Sequence, residues 1–346
     1  MTARNAKPTL VDVAREVGVA PMTVSRALHK PEKVAPDTRN RILEACKRLN
    51  YRPNASARSL RTRTSHQVGV IIPDWQNPFW IDVVSGIEAI LTQAGFQLLI
   101  ANSNEEGERQ ALEIDALLSR SVDGLLIAPA VNSAKIIYEL LSTDSKIVVI
   151  DRLPPGLDGV NCVTIDNEAG AYKATKHLIN EGHRRIGLLA GNINLDTGQQ
   201  RLDGYRQALQ EQGLIVNDQW IRTAETNAAL VGKQIGYQGT LEFLDMADSP
   251  TALLCTSNTI VIGALLALQE RQIHIPQEMA VVSFGNMDWT PLLTPPLTVV
   301  TQPTFAMGCR AAQMLLDYLT SEPTNESIRS KILLQPELII RGSSVQ

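Results

Sequence analysis

Residues 9–28 read TLVDVAREVGVAPMTVSRAL, and this stretch decides how the chain begins. Leu10, Val13, Ala14 and Val17 recur at helical spacing and make one apolar face. Gly18 follows directly, where a helix would stop in a left-handed residue. Val19 is placed to plug the corner, and Pro21 suits the first position of a new helix. Val24 and Leu28, one turn apart, give that second helix its buried side. Met22, Thr23, Ser25, Arg26 and His29 are left for its outer side. Two short helices around a tight turn form a helix-turn-helix, whose second helix enters a DNA major groove by its N-terminal residues. A small helical hairpin with no role in DNA binding would show the same apolar spacing.

The charge distribution separates these two readings. The chain has 346 residues, enough for two or three domains, and a net charge of -4. Residues 1–65 carry 14 Lys and Arg against 5 acids, a net of +9, which leaves -13 for the rest. A basic head on an acidic body suits a polyanion-binding module joined to something that does not bind polyanions. With 44% apolar and 20% charged residues the chain is ordinary globular material. It shows no apolar leader and no run of about eighteen apolar residues, so neither export nor a membrane span is expected and the cytoplasm is. Cys46, Cys162, Cys255 and Cys309 lie far apart with no CxxC spacing, which favours buried thiols over disulfides or metal ligands.

Beyond His29, Lys30 and Pro31 break the second helix, and Pro36 opens a third whose Ile42, Ala45, Cys46 and Leu49 share a face. Three short helices with one shared centre make a small, marginal core. Residues 51–65, YRPNASARSLRTRTS, then read as a linker or a short helix capped by Asn54. A helix of that length is marginal in water. From Val68 the pattern changes to VGVIIP, FQLLIANS, VDGLLIAPA and KIVVID, strands alternating with amphipathic helices. The series begins again with NCVTID and continues through RRIGLLAG, TALLCTS and MAVVSFGN, while PPLTVVTQP and PELIIRGSS read as strands that cross back or close the sheets. Alternation of this kind implies parallel α/β sheets with ligands at the C-terminal ends of the strands.

TLVDVAREVGVAPMTVSRAL, the RPN..ARSL..R.S pattern after Tyr51, and IDNEAGAYKATKHLINEGHRRIGLLAG together resemble the LacI–GalR family of bacterial repressors over nearly the whole chain. The resemblance implies a small all-α helix-turn-helix headpiece (residues 1–50), a hinge helix (51–66), and an α/β core of two periplasmic-binding-protein-like lobes (67–346) that dimerises and holds a small effector. It implies a homodimer on a pseudo-palindromic operator. In the headpiece it points to Pro21, Met22 and Arg26 at base edges, with Thr23, Ser25 and His29 beside them and Thr23 and Ser25 nearer phosphates. For Arg26, bidentate contact with guanine and a phosphate contact remain equal alternatives. In the hinge it points to Asn54, to Arg58 on phosphate, and to Leu60 as the wedge that enters the minor groove. Ala20 departs from the Ser or Thr usual there, which removes a helix-capping hydroxyl.

For the effector, the resemblance points to Asp74, Phe79 within PDWQNPFW, Asp151, Arg152, Thr197, Arg201, Ser257 and Asn286. The aromatics could equally be lobe core. Relatives often carry carboxylates where this chain has Asn258 and Gly285. With those positions neutral and two arginines kept, the cleft is expected to favour a sugar acid. Asn286 and Asp288 as substitute acceptors would restore a neutral sugar or nucleoside. An enzyme is disfavoured, because GxGxxG, P-loop, GxSxG and HExxH patterns are all missing, and no cofactor or metal is expected. A transport binding protein would explain two lobes but not the basic head.

Overall fold

The computed structural model describes residues 8–51, 64–143, 145–154, 156–157, 159–224, 229–320 and 330–345. The expected hinge residues Asn54, Arg58 and Leu60 lie outside them. The chain forms two compact units, Met1–Ser65 and His66–Gln346.

The first unit holds three helices: α1 (Leu10–Val17), α2 (Pro21–His29) and α3 (Pro36–Arg48). Thr9 and Asp12 form a reciprocal capping box that starts α1. Gly18 ends it in the left-handed region at φ 72°, a conformation that costs glycine nothing. Val13, Val24 and Ile42, one from each helix, are fully buried against each other with Ala14, Ala27 and Ala45. Arg41 Nη2 donates to the Val17 carbonyl at 2.8 Å, which satisfies an orphan acceptor at the end of α1.

The second unit is built from two six-stranded sheets. Lobe 1 contains β1 (Gln67–Ile72), β2 (Gln97–Asn102), β3 (Gly124–Ile127), β4 (Ile147–Asp151), β5 (Asn161–Ile165) and β11 (Lys331–Leu334), in the order β11-β5-β4-β3-β1-β2. Lobe 2 contains β6 (Ile186–Ala190), β7 (Ile221–Thr223), β8 (Ala252–Cys255), β9 (Ala280–Phe284), β10 (Thr298–Thr301) and β12 (Glu337–Ile339), in the order β12-β10-β9-β8-β6-β7. All pairings are parallel except β10 with β12. The continuous apolar runs of β1, β4 and β9 fit sheets covered by helices on both faces.

In lobe 1, α4 (Pro78–Gln93) and α11 (Thr304–Thr320) cover one face. The other face is covered by α5 (Gly107–Ser119) and α6 (Ala134–Leu141). Lobe 2 is covered by α7 (Asn167–Asn180) and α8 (Asp196–Glu211) on one side, and by α9 (Ala229–Leu244) and α10 (Asn258–Glu270) on the other. Glycines let these helices cross closely. A Cβ on Gly86 of α4 would collide with the Phe305 carbonyl of α11, and one on Gly308 with the Val83 carbonyl. Gly236 of α9 and Gly263 of α10 stand in the same reciprocal relation to the Ile260 and Lys233 carbonyls.

One expectation is corrected. NCVTID does not open the second lobe. It is β5, an inner strand of the first sheet, with Val149 in register with Cys162 and Val163 with Ile332. The chain changes lobe just after it, again between β10 and α11, and a third time between β11 and β12. Strand periodicity identifies the strand, but its place is set by two pairings, with β4 just upstream and with β11 more than one hundred and sixty residues away. The short β7, like β11, had no expectation at all, because three or four residues carry little period-two signal. Cys46, Cys162 and Cys255 are buried and Cys309 half-buried, all as free thiols. Among the described residues, no helix is long and apolar enough to cross a membrane.

Candidate functional site

The headpiece presents one face of α2. Pro21, Met22 and Arg26 are exposed, Met22 at 56%, while Thr23 and His29 are half-buried. Ser25 is only 8% exposed, next to the buried Val24 and Ala27. Ala20 occupies the N-cap of α2 with no side-chain hydrogen bond. Restoring the hydroxyl with Ala20→Ser is expected to stabilise α2 by about 1 kcal/mol. In the full chain this should slow amide hydrogen exchange at Met22 and Thr23 roughly fivefold, and unchanged exchange would mean that another group already caps the helix.

The second unit contains a cleft between the lobes. Parallel strands deliver its lining by their C-terminal ends, as open α/β sheets do. Asp74 follows β1, Glu105 follows β2, and Asp151 ends β4. From the other lobe come Gly191 after β6, Thr256 and Ser257 after β8, and Gly285 and Met287 after β9. Phe79 and Trp80 enter with the first turn of α4, and Thr197 and Arg201 with α8. Trp80 is 2% exposed and joins the core of lobe 1, while Phe79, edge-to-face with it, is half-buried.

Of the expected effector residues, Asp74, Phe79, Asp151, Arg152, Thr197, Arg201 and Ser257 all line the cleft. Asn286 does not. Gly285 turns the chain at φ 92°, so Met287 faces the cleft while Asn286 is exposed. Its Oδ1 accepts from Thr290 Oγ1 at 3.0 Å and from Arg341 Nη2 at 2.8 Å, ties that hold the loop from outside. Asp288 is exposed too. Ser257 is engaged as the N-cap of α10, accepting from the Ile260 amide at 3.2 Å.

The two arginines differ. Arg152 is 5% exposed and its Nη1 donates to both oxygens of Glu105, at 2.9 and 3.1 Å. Its Nε donates to Asp151 Oδ2 at 2.9 Å. The two carboxylates hold the guanidinium above the ordinary arginine range despite its burial, so it stays charged throughout. Burial pushes the Glu105 carboxyl up, and this outweighs the pull of Arg152. Arg201 instead donates to neutral acceptors: Asn167 Oδ1 at 2.9 and 2.7 Å and the Thr256 carbonyl at 2.6 Å. It stacks over the Phe284 ring at 4.5 Å, and desolvation brings its pKa down to about 10.

Sequence reasoning missed Glu105 and Gln302. Nothing local distinguishes Glu105 from Glu106 or Glu108, and only its position after a parallel strand could have marked it. Its backbone sits at φ 60°, beside Asn104 at 54°, and Asp151 lies at 71°. Left-handed non-glycine residues cluster where a site needs an unusual backbone. Gln302 lines the cleft from the crossover after β10, and its buried Nε2 has no hydrogen-bond partner. A buried amide donor of this kind is suited to a ligand oxygen. Among the described residues, no group of three or more His, Cys, Asp or Glu could hold a metal ion.

Residues 9–54 match the family model of bacterial regulatory proteins of the lacI family. Residues 65–339 match that of periplasmic binding proteins and the sugar-binding domain of the LacI family. The chain is 32% identical over 339 residues to the HTH-type transcriptional repressor PurR of Haemophilus influenzae (strain PittEE), covering 97% of this chain and 98% of that one. It is 31% identical over 336 residues to the HTH-type transcriptional repressor CytR of Escherichia coli (strain K12), covering 97% and 96%. Among solved structures, a complex of the transcriptional regulator CelR with cellobiose superposes with a TM-score of 0.71 at 30% identity, over 97% of this chain and 99% of that one.

Proposed function

The chain belongs to the LacI family of bacterial regulatory proteins, and on that premise we propose that it is a cytoplasmic transcriptional repressor, a homodimer that binds a pseudo-palindromic operator and is controlled by a neutral, hydroxyl-rich effector. The headpiece (1–50) reads the operator, the hinge (51–66) follows it, and the body (67–346) dimerises and senses the effector. Its role is binding, not catalysis. The repressor names of PurR and CytR support the DNA-binding half of this reading.

The observation that carries the effector class is the pairing of Arg152 with Glu105 and Asp151. An anion entering the cleft would meet Asp74, Glu105 and Asp151 together with Arg152, and would find the charge of that arginine already balanced. Displacing a buried carboxylate from its partner costs more than a typical ligand contact returns. A sugar or nucleoside has donors for the three carboxylates and acceptors for Arg201 and Gln302. The cellobiose in the CelR complex is a neutral sugar and agrees with this class.

Thermal-shift measurements on the full chain test it, with ribose, cellobiose, cytidine and adenosine set against gluconate and glucuronate. A ligand at a hundred times its Kd stabilises the folded state by about 2.7 kcal/mol. Shifts among the neutral compounds are expected. Shifts confined to gluconate or glucuronate would return the cleft to a sugar-acid reading through Arg152 and Arg201.

A further inference from the structure

Asn258, the first residue of α10 in lobe 2, donates from Nδ2 to Asn77 Oδ1 in lobe 1 at 3.1 Å. The bond spans the cleft. Asn77 is also the N-cap of α4, and the same Oδ1 accepts from the Phe79 amide at 3.1 Å. The cap fixes which way the Asn77 amide points, because only its oxygen can satisfy an orphan N–H. The partner from the other lobe must therefore be a donor. Asn258 supplies one, and a carboxylate at that position could not.

Asn258 is itself held firmly. It is 6% exposed, its Nδ2 also reaches Met287 Sδ at 3.5 Å, and its Cβ lies close beneath Gly285. The loop after β9 thus packs against Asn258. A bond that exists only while the lobes are close shifts their equilibrium by its own net free energy, whatever the ligand.

We propose that the Asn77–Asn258 hydrogen bond is a built-in latch that favours the closed lobe arrangement independently of effector chemistry. It makes position 258, which also lines the cleft, a determinant of the lobe equilibrium. Asn77→Ser separates the two roles of Asn77, since serine caps a helix about as well as asparagine but is too short to meet Asn258. Asn77→Asp keeps the cap and offers Asn258 a charged, stronger acceptor. Asn258→Asp sets acceptor against acceptor, and the latch is lost.

The test is the distance between spin labels on Leu112→Cys and Ile215→Cys, exposed positions on opposite lobes, in the full chain with Cys309→Ser and diluted with unlabelled protein. Pulsed electron resonance reads the populations. Asn77→Ser and Asn258→Asp are expected to raise the open-to-closed ratio about fivefold, which is ~1 kcal/mol. Asn77→Asp is expected to lower it. Distance distributions for Asn77→Ser and Asn258→Asp that match the parent protein would overturn the latch. So would opening by Asn77→Asp equal to that of Asn77→Ser, since both keep the cap and an acceptor within reach of Asn258 would then make no difference.

Discussion

Glu105→Ala is expected to lower the melting temperature of the protein by roughly 10 °C, the largest loss foreseen for a single side chain of the cleft. Arg152 is 5% exposed and donates two of its hydrogen bonds to Glu105. Removing one partner of a buried pair strands the other charge, at a cost of about 3–5 kcal/mol. Asp151 remains within 2.9 Å of Nε and keeps the loss from growing further. Glu105→Gln isolates the charge from the packing. It retains an acceptor for Arg152, so its melting temperature should fall less, while the cleft becomes one unit more positive. That variant should gain a thermal shift with gluconate that the parent protein lacks. If Glu105→Ala melts like the parent, the pair contributes nothing. If Glu105→Gln gains no gluconate shift, the balancing of Arg152 is not what sets the charge preference of the cleft.

Arg26→Ala is expected to weaken operator binding by about 10–100-fold while leaving binding to random DNA within a few-fold of the parent. The expectation rests on a long exposed guanidinium on the outer face of α2, one turn beyond Met22. A bidentate arginine–guanine contact discriminates by about 1–3 kcal/mol. The alternative, a phosphate contact, has a different signature. It weakens every sequence alike and reduces the salt dependence of binding by about one unit of slope. Titrations of operator and random duplexes at several salt concentrations separate the two. Equal losses on both duplexes would assign Arg26 to the DNA backbone and leave sequence reading to the apolar contacts of Pro21 and Met22.

The elements that rest on local chemistry are legible in the order of the residues. Thr9, Gly18 and Pro21 punctuate the headpiece through capping, a left-handed turn and a fixed φ, all within a few residues of where they act. Continuous β-branched runs mark the long strands, and the family resemblance points to Asp74, Asp151 and Arg152 near their C-terminal ends. Whatever depends on distant pairing came from the folded chain. It placed β5 inside the first sheet, between β4 and the distant β11. It tied Arg152 to Glu105, 47 residues away, and so turned two apparent anion receptors into one balanced pair and one arginine held by neutral acceptors. It turned Asn286 out of the cleft at Gly285 and brought Asn258 to Asn77 across 181 residues. Periodicity and capping are short-range and leave their mark on neighbouring letters. Which charges meet is fixed by strand order and lobe closure, and those energies belong to the folded chain as a whole.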